Sequence, residues 1–318
     1  MGSSFLRNRI INGDMRIDQR NAGASITPTN GQFSVDRWAC FLSQSSKYTV
    51  QQDAGAVTPP AGFNDYLGVT SSSAYTVGSA EWFGIAQRIE GFNIADLGWG
   101  TANAKTVTLS FWVRSSLTGT FGGSLNNSGF NYNYPFSYTI SATNTWEYKT
   151  ITIAGPTAGT WLTTNGAGVQ VHFGLGLGST YSATAGSWVT TSNILSATGA
   201  TSVVGTNGAT WYITGVQLEI GTSATPFERR LYNQELAACQ RYYEPLVTIE
   251  GYELASSGKV GRMTYFYKVS KRATPTITLG SASNGATGSI GTELFNLVVI
   301  TGTAAPFTGS GGSISIEL

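Results

Sequence analysis

Val107-Thr108-Leu109-Ser110-Phe111-Trp112-Val113-Arg114 alternates with a period of two. Successive side chains of a strand point to opposite faces, so Val107, Leu109, Phe111 and Val113 share one face. Thr108, Ser110, Trp112 and Arg114 share the other. The same period runs through Val169, Val171, Phe173, Leu175 and Leu177, interleaved with Gln170, His172, Gly174, Gly176 and Gly178. Phe136, Tyr138 and Ile140 repeat it, as do Ile151 and Ile153. Turn signals separate these runs: Asn-Asn-Ser-Gly at 126–129, Ala-Gly-Pro at 154–156, Asn-Gly-Ala-Gly at 165–168 and Thr-Asn-Gly at 206–208. Short alternating strands between Gly and Asn turns predict an all-β chain, an antiparallel jelly-roll β-sandwich.

One segment breaks the pattern. Asn233 is placed to cap a helix over Gln234–Tyr243, with Leu236, Cys239, Gln240 and Tyr243 three or four residues apart. It lies between Pro226 and Pro245 and reads as a connecting helix over 233–244. Alternation returns with Tyr265, Tyr267 and Val269, then Ile277, Leu279, Phe295, Leu297, Val299, Ile314 and Ile316. The expected organisation is an N-terminal anchoring arm over 1–30, a jelly roll over 31–232, the helix, and a small C-terminal β domain over 245–318.

Composition narrows the function. Of 318 residues, 40 are Gly, 41 Thr and 34 Ser, while only 11% are charged. Ordinary soluble domains carry about 25% charged residues. With 41% hydrophobic residues there is material for a core, and disorder is excluded. A net charge of +1 without a dense basic stripe argues against nucleic-acid binding. No apolar run approaches the ~18 residues of a membrane helix, and no membrane insertion is expected. Met1–Asp14 does not read as a secretory leader. Cys40 and Cys239 read as small buried hydrophobes. So few charges suit a chain held in an assembly and solubilised by hydroxyls and amides.

Catalysis lacks parts. Between Gly98 and Leu218 the acid is Glu147, with Lys149 two residues on, and the histidine of the whole chain is His172. Glycoside hydrolysis needs a pair of carboxylates across the sugar, and a Ser-His-Asp triad needs a positioned His beside an activated Ser. Zinc wants several His or Cys ligands, and dinucleotide or phosphate loops need a Gly-rich strand-to-helix turn. None of these sets is assembled, so no enzyme, no metal and no cofactor is expected.

Binding has better material. The Gly174, Gly176 and Gly178 face reads either as a trough filled by neighbouring side chains or as a shallow sugar site. In the second reading His172 closes one end, with Trp112 and Arg114 on a neighbouring strand. The loop at 129–136, with Tyr132 and Tyr134 among amides, mixes rigid aromatics and adaptable polar groups as recognition loops do. The same residues serve a contact between copies equally well.

Several motifs resemble bacteriophage virion proteins that carry a carbohydrate-binding-module-like jelly roll. They are Asn-Arg-Ile-Ile-Asn-Gly-Asp-Met at 8–15, Gln19-Arg20, Val35-Asp36-Arg37-Trp38, and Ala86-Gln87-Arg88-Ile89-Glu90. The most specific is Tyr212-Ile213-Thr214-Gly215-Val216-Gln217-Leu218-Glu219-Ile220-Gly221, completed by Ala224-Thr225-Pro226-Phe227-Glu228 and by Cys239-Gln240-Arg241-Tyr242-Tyr243. Lys271-Arg272-Ala273-Thr274-Pro275-Thr276 resembles the small β module that often follows. The resemblance implies a structural protein on the particle surface, a tail fibre or appendage component contacting host-surface glycans. It implies other virion proteins as partners and a homo-oligomer, with three-fold symmetry the expectation. A capsid decoration protein without glycan binding, and a secreted carbohydrate-binding module, stay open as alternatives. Related jelly rolls hold calcium between the Asn-Gly-Asp segment and acids of the last strand. Here Asp14 is present, but Thr214 and Gly215 stand at the last-strand positions, too few charges for the ion.

Overall fold

The computed structural model describes residues 7–246, 249–251, 260–278, 281–282, 285–300, 307–310 and 312–318. Leu279, and the first six residues of the expected arm, lie outside them. The chain divides into two units, Met1–Arg229 and Arg230–Leu318.

The first unit is built from strands β1 (Ala39–Leu42), β2 (Tyr48–Gln52), β3 (Leu67–Ser71), β4 (Trp82–Glu90), β5 (Val107–Ser115), β6 (Gly119–Asn126), β7 (Asn133–Ile140), β8 (Glu147–Ile153) and β9 (Ala167–Leu177). The short parallel pair β10 (Ser182–Ala183) and β11 (Ser196–Ala197) precedes the long β12 (Thr210–Ile220). One sheet has the order β1-β4-β9-β6-β7 and the other β2-β3-β12-β5-β8. Neighbours within both are antiparallel. The chain passes from one sheet to the other at almost every connection, which makes the sandwich a jelly roll. Val107, Leu109, Phe111 and Val113 meet Val169, Val171, Phe173 and Leu175 between the sheets, all fully enclosed. The alternation therefore reports the buried face of each strand.

The residues that carry the resemblance turn out to be architectural. On β12, Trp211 and Ile213 face the core, then Val216 and Leu218, so the period slips by one residue. A bulge between Thr214 and Gln217 absorbs the slip, with Gly215 at φ 62°. A Cβ at Gly215 would sit 2.6 Å from the Phe63 ring, so no larger residue fits. The bulged segment takes the N-terminal motif as a partner. Val216 N donates to Gly13 O at 2.9 Å, Arg9 N to Leu218 O at 2.9 Å, and Asn8 Nδ2 to Val216 O at 3.1 Å. Asn8 N and Arg7 N in turn donate to the Glu228 carboxylate at 2.8 and 3.0 Å.

Within the expected arm, Ile10 and Met15 belong to the hydrophobic core and Asn12 is fully buried, so this part of the segment packs into the sandwich. The Arg residues around them gave the segment a solvated look, but their apolar neighbours complete the sandwich.

In the second unit, helix α1 runs Tyr232–Gln240, with Leu231 rather than Asn233 at its cap and Tyr243 beyond its end. Leu231 N instead donates to Gln234 Oε1 at 3.3 Å. Strands β13 (Tyr243–Leu246), β14 (Ile249–Gly251), β15 (Val260–Phe266), β16 (Thr276–Thr278), β17 (Ser281–Ala282), β18 (Gly285–Ile290), β19 (Leu294–Ile300), β20 (Phe307–Ser310) and β21 (Gly312–Ser315) form small sheets ordered β13-β21-β16, β14-β20-β17 and β15-β19-β18. Leu246, Tyr267, Phe295 and Ile314 make its core. Beside them Lys271 Nζ reaches Glu244 Oε2 at 2.7 Å and Gln240 O at 2.5 Å, with both charged side chains wholly enclosed.

Candidate functional site

The structure separates the expected site residues. His172 lies on β9, whose neighbours are β4 and β6, whereas Trp112 and Arg114 lie on β5 in the other sheet. Trp112 and Arg114 therefore do not flank His172, contrary to expectation. Strand adjacency in a jelly roll is set by crossovers between sheets, which a strand's own pattern does not encode. Trp112 packs on Tyr148, with centroids 5.3 Å apart. Arg114 lies 5.3 Å over the Tyr212 ring and donates Nε to Asn144 O at 2.9 Å. The glycine face is not an open trough either. A Cβ on Gly174 would meet Leu177 Cδ1 at 2.6 Å, and one on Gly176 would meet Ser202 Oγ and Val204 Cγ2 at 2.7 Å. On Gly178 it would meet the carbonyls of Gly78 and Ser79 at 2.2 Å. Loop segments, rather than aromatic rings, fill that face.

Tyr132 and Tyr134 come together, but as scaffold. Their rings lie 5.6 and 5.2 Å from Trp188, which also packs on Trp99 and Trp161. Tyr134 faces the core, and burial pushes its hydroxyl pKa up.

His172 has different company. On the outer face of its sheet a groove of about 300 Å³ opens, near the lower end of the ~300–1,000 Å³ usual for small-molecule sites. Phe41 of β1, Trp82 and Arg88 of β4, and His172 of β9 form its base. Phe130 and Asn193 come from loops above it, with Tyr181 and Leu195 at the β10–β11 end and Asn30 at the rim. The rings are ordered against one another. Phe41 and Phe130 stand 5.2 and 5.8 Å from the imidazole, and Trp82 stands 5.0 Å from Tyr181 in an edge contact. Arg88 holds its guanidinium 5.2 Å over Phe41 while Nε donates to Gln170 Oε1 at 2.8 Å.

Two residues of the groove carry positive φ. Phe130 has φ 52° and Asn193 φ 62°, the left-handed region that a bulky residue such as Phe seldom adopts. Both are held by amides. Asn193 N donates to Phe130 O at 2.7 Å, and Asn133 Nδ2 donates to Phe130 O at 3.1 Å and Thr191 O at 2.6 Å. Asn127 Oδ1 accepts from Asn131 N and Tyr132 N at 3.1 and 3.2 Å. The buried Asn127 and Asn133 thus fix a loop whose tip carries Phe130 to the groove.

The imidazole is enclosed, at 3% exposure, and Nε2 meets no hydrogen-bond partner among the described residues. Burial, assisted by the Arg88 charge, pulls its pKa down to about 3, so it is neutral at physiological pH. A neutral imidazole offers one N–H and one lone pair, and an enclosed polar atom without a partner costs about 1–3 kcal/mol.

Of the residues that line this groove, the sequence reading singled out His172 and not Phe41, Trp82, Arg88, Phe130 or Tyr181. The one local signal was Phe130, an aromatic residue inside the polar turn at 126–133. Among the described residues no group of three or more His, Cys, Asp or Glu side chains is placed to hold a metal ion. Asp14 lies 3.5 Å from Arg16, and Thr214 Oγ1 donates to Asp65 O at 2.7 Å. No helix of the described residues is long and apolar enough to cross a membrane.

No protein-family model matches the chain, and no curated protein does. Solved structures with carbohydrate-binding-module sandwiches are similar to it at low identity. The enzymatically active domain of bacteriophage CBA120 tailspike protein 4 is 14% identical over 69% of this chain and 22% of that one, with a TM-score of 0.38. This chain thus spans about a fifth of the tailspike domain's length. A family 11 carbohydrate-binding module from Clostridium thermocellum, in complex with a β-1,3-1,4-mixed-linked tetrasaccharide, is 10% identical over 63% of this chain and 97% of its own, at 0.33. A xylan-binding CBM22 domain from Paenibacillus barcinonensis is 15% identical over 62% and 99%, also at 0.33. Scores this low leave the ligand to be argued from the groove.

Proposed function

We propose that the chain is a non-enzymatic glycan-binding component of a phage particle surface, and that the groove over His172 holds the sugar. The observation that carries the glycan reading is the groove's construction. Half-buried aromatic rings surround an enclosed imidazole nitrogen without a partner, and Arg88, Asn30 and Asn193 stand at its sides. Pyranose rings present C–H faces to aromatic rings and hydroxyls to imidazole, guanidinium and amide groups, so this mixture suits them. The left-handed backbone of Phe130 supports the same reading, because such strain persists where the surroundings hold it and is frequent at functional sites.

The particle location rests on the motif resemblance and on the scarcity of charge, and with it the homo-oligomer and the virion partners. Glycan-array binding by the full chain tests the first half of the proposal. Binding that is abolished by Phe41→Ala and Trp82→Ala in folded protein supports the groove; array-wide silence overturns it. Electron cryo-microscopy of the particle tests the second half and separates a fibre or appendage from a head decoration. Release of reducing sugar from any bound polysaccharide would overturn the non-enzymatic part.

A further inference from the structure

The groove has a second, smaller compartment in its floor. It has a volume of about 10 Å³ and shares Phe41, Trp82, His172 and Leu195 with the groove. Phe83, Gly84, Phe173, Gly174 and Leu177 complete its lining, with the Phe83 and Phe173 rings turned into the core, and its surface is mostly apolar. That volume admits one group of about the size of a water molecule or a methyl. A water there would find too few polar partners to replace its hydrogen bonds, whereas a methyl would lose nothing.

The compartment exists because two glycines face each other across the sheet. Gly84 of β4 pairs with Gly174 of β9, at a register shift beside Phe83. A Cβ on Gly84 would come within 2.8 Å of Phe173 O, and one on Gly174 within 2.6 Å of Leu177 Cδ1. Side chains at either position would fill the space. The slot thus sets a methyl-sized apolar hole beside a polar nitrogen that lacks a partner.

Resting on the glycan reading above, we infer that this slot takes the methyl of an acetamido group, so that the groove selects N-acetylated hexosamines over plain hexoses. An acetamido group carries an apolar methyl together with a carbonyl and an N–H within one short planar unit. The methyl enters the slot while the carbonyl or N–H meets His172 Nε2, which can serve either because the neutral ring has two tautomers. A plain hexose sets a hydroxyl at the same place, which loses its water without a second partner.

The test is titration of the full chain against matched oligosaccharide pairs differing only at C2: N-acetylglucosamine against glucose, and N-acetylgalactosamine against galactose. The expected result is about tenfold or greater preference for the acetamido member of a pair, the lower range for one extra carbon group in an apolar pocket. Saturation-transfer NMR should place the strongest signal on the acetyl methyl. Gly174→Ala, in folded protein, should erase the preference while plain-hexose binding persists, and Gly84→Ala gives a second variant at a residue that lines the slot without lining the groove. Equal or tighter binding of plain hexoses overturns the acetamido assignment and leaves the glycan reading standing. A preference for 6-deoxy sugars over acetamido sugars overturns it too. Silence from every sugar overturns both.

Discussion

The Phe41 ring stands 5.2 Å from the His172 imidazole, tilted by 54°, and the Arg88 guanidinium lies 5.2 Å from the centre of the same ring. Phe41 is thereby fixed at the base of the groove although it is only half-buried. Phe41→Ala should weaken glycan binding about tenfold or more, the cost of about 1.4 kcal/mol or greater expected for a central aromatic contact. Calorimetric titration measures it. The fold should survive, because the ring points away from the core between the sheets.

The same histidine makes a pH prediction. In the folded chain it stays neutral down to about pH 3, while an unfolded histidine takes up its proton near pH 6.5. Between these values the unfolded state binds more protons, so stability is lost as pH falls through that window. The slope approaches about 1.4 kcal/mol per pH unit for this one group. All the tryptophans of the chain lie in the first unit, so tryptophan fluorescence follows its urea unfolding directly. His172→Gln should flatten the dependence between pH 6.5 and 4; an unchanged slope would remove His172 as its source.

Phe130 offers a test of strain held for function. Asn adopts the left-handed region more readily than Phe, so Phe130→Asn should relieve backbone cost of about 1 kcal/mol. Thermal stability should hold within a few degrees despite the lost ring contact with His172, while glycan affinity drops. A large fall in melting temperature with affinity intact would show the ring to be scaffold instead.

The second unit holds an enclosed ion pair. Lys271 Nζ lies 2.7 Å from Glu244 Oε2, and Tyr265 OH donates to Glu244 Oε1 at 3.1 Å. Burial draws the Lys271 pKa down, opposed by the Glu244 carboxylate. Removing one partner leaves the other charge buried, which costs about 3–5 kcal/mol. Lys271→Met should accelerate hydrogen exchange in β13 and β21, and the double change with Glu244→Leu should recover much of the protection.

Strand existence was legible because each strand must bury one face. Val107 to Val113 and Val169 to Leu175 announced their core sides through simple alternation. The slip in β12 was not legible from alternation, since Thr214-Gly215 looks like an interruption until the bulge is seen. The helix cap was misplaced by two residues because Leu231 uses its backbone N–H and the Gln234 side chain, without a capping side chain of its own. Of the candidate binding residues, His172 lies on its strand as read, while Trp112 and Arg114, set beside it from their strand face, fell on the opposite sheet. Phe41 and Trp82 gave no signal, because an aromatic residue on a strand reads as core.

By itself the sequence determined the class of fold, the turn-rich sandwich with its small second unit, and the scarcity of catalytic groups along the strands. Period and turn chemistry are local properties, and local properties survive in one dimension. Only the tertiary structure decided which rings surround His172. Phe41, Trp82, Phe130 and Tyr181 lie far apart along the chain and meet through strand order and a strained loop. The paired glycines that hollow the floor beside them become neighbours only across the β4–β9 register.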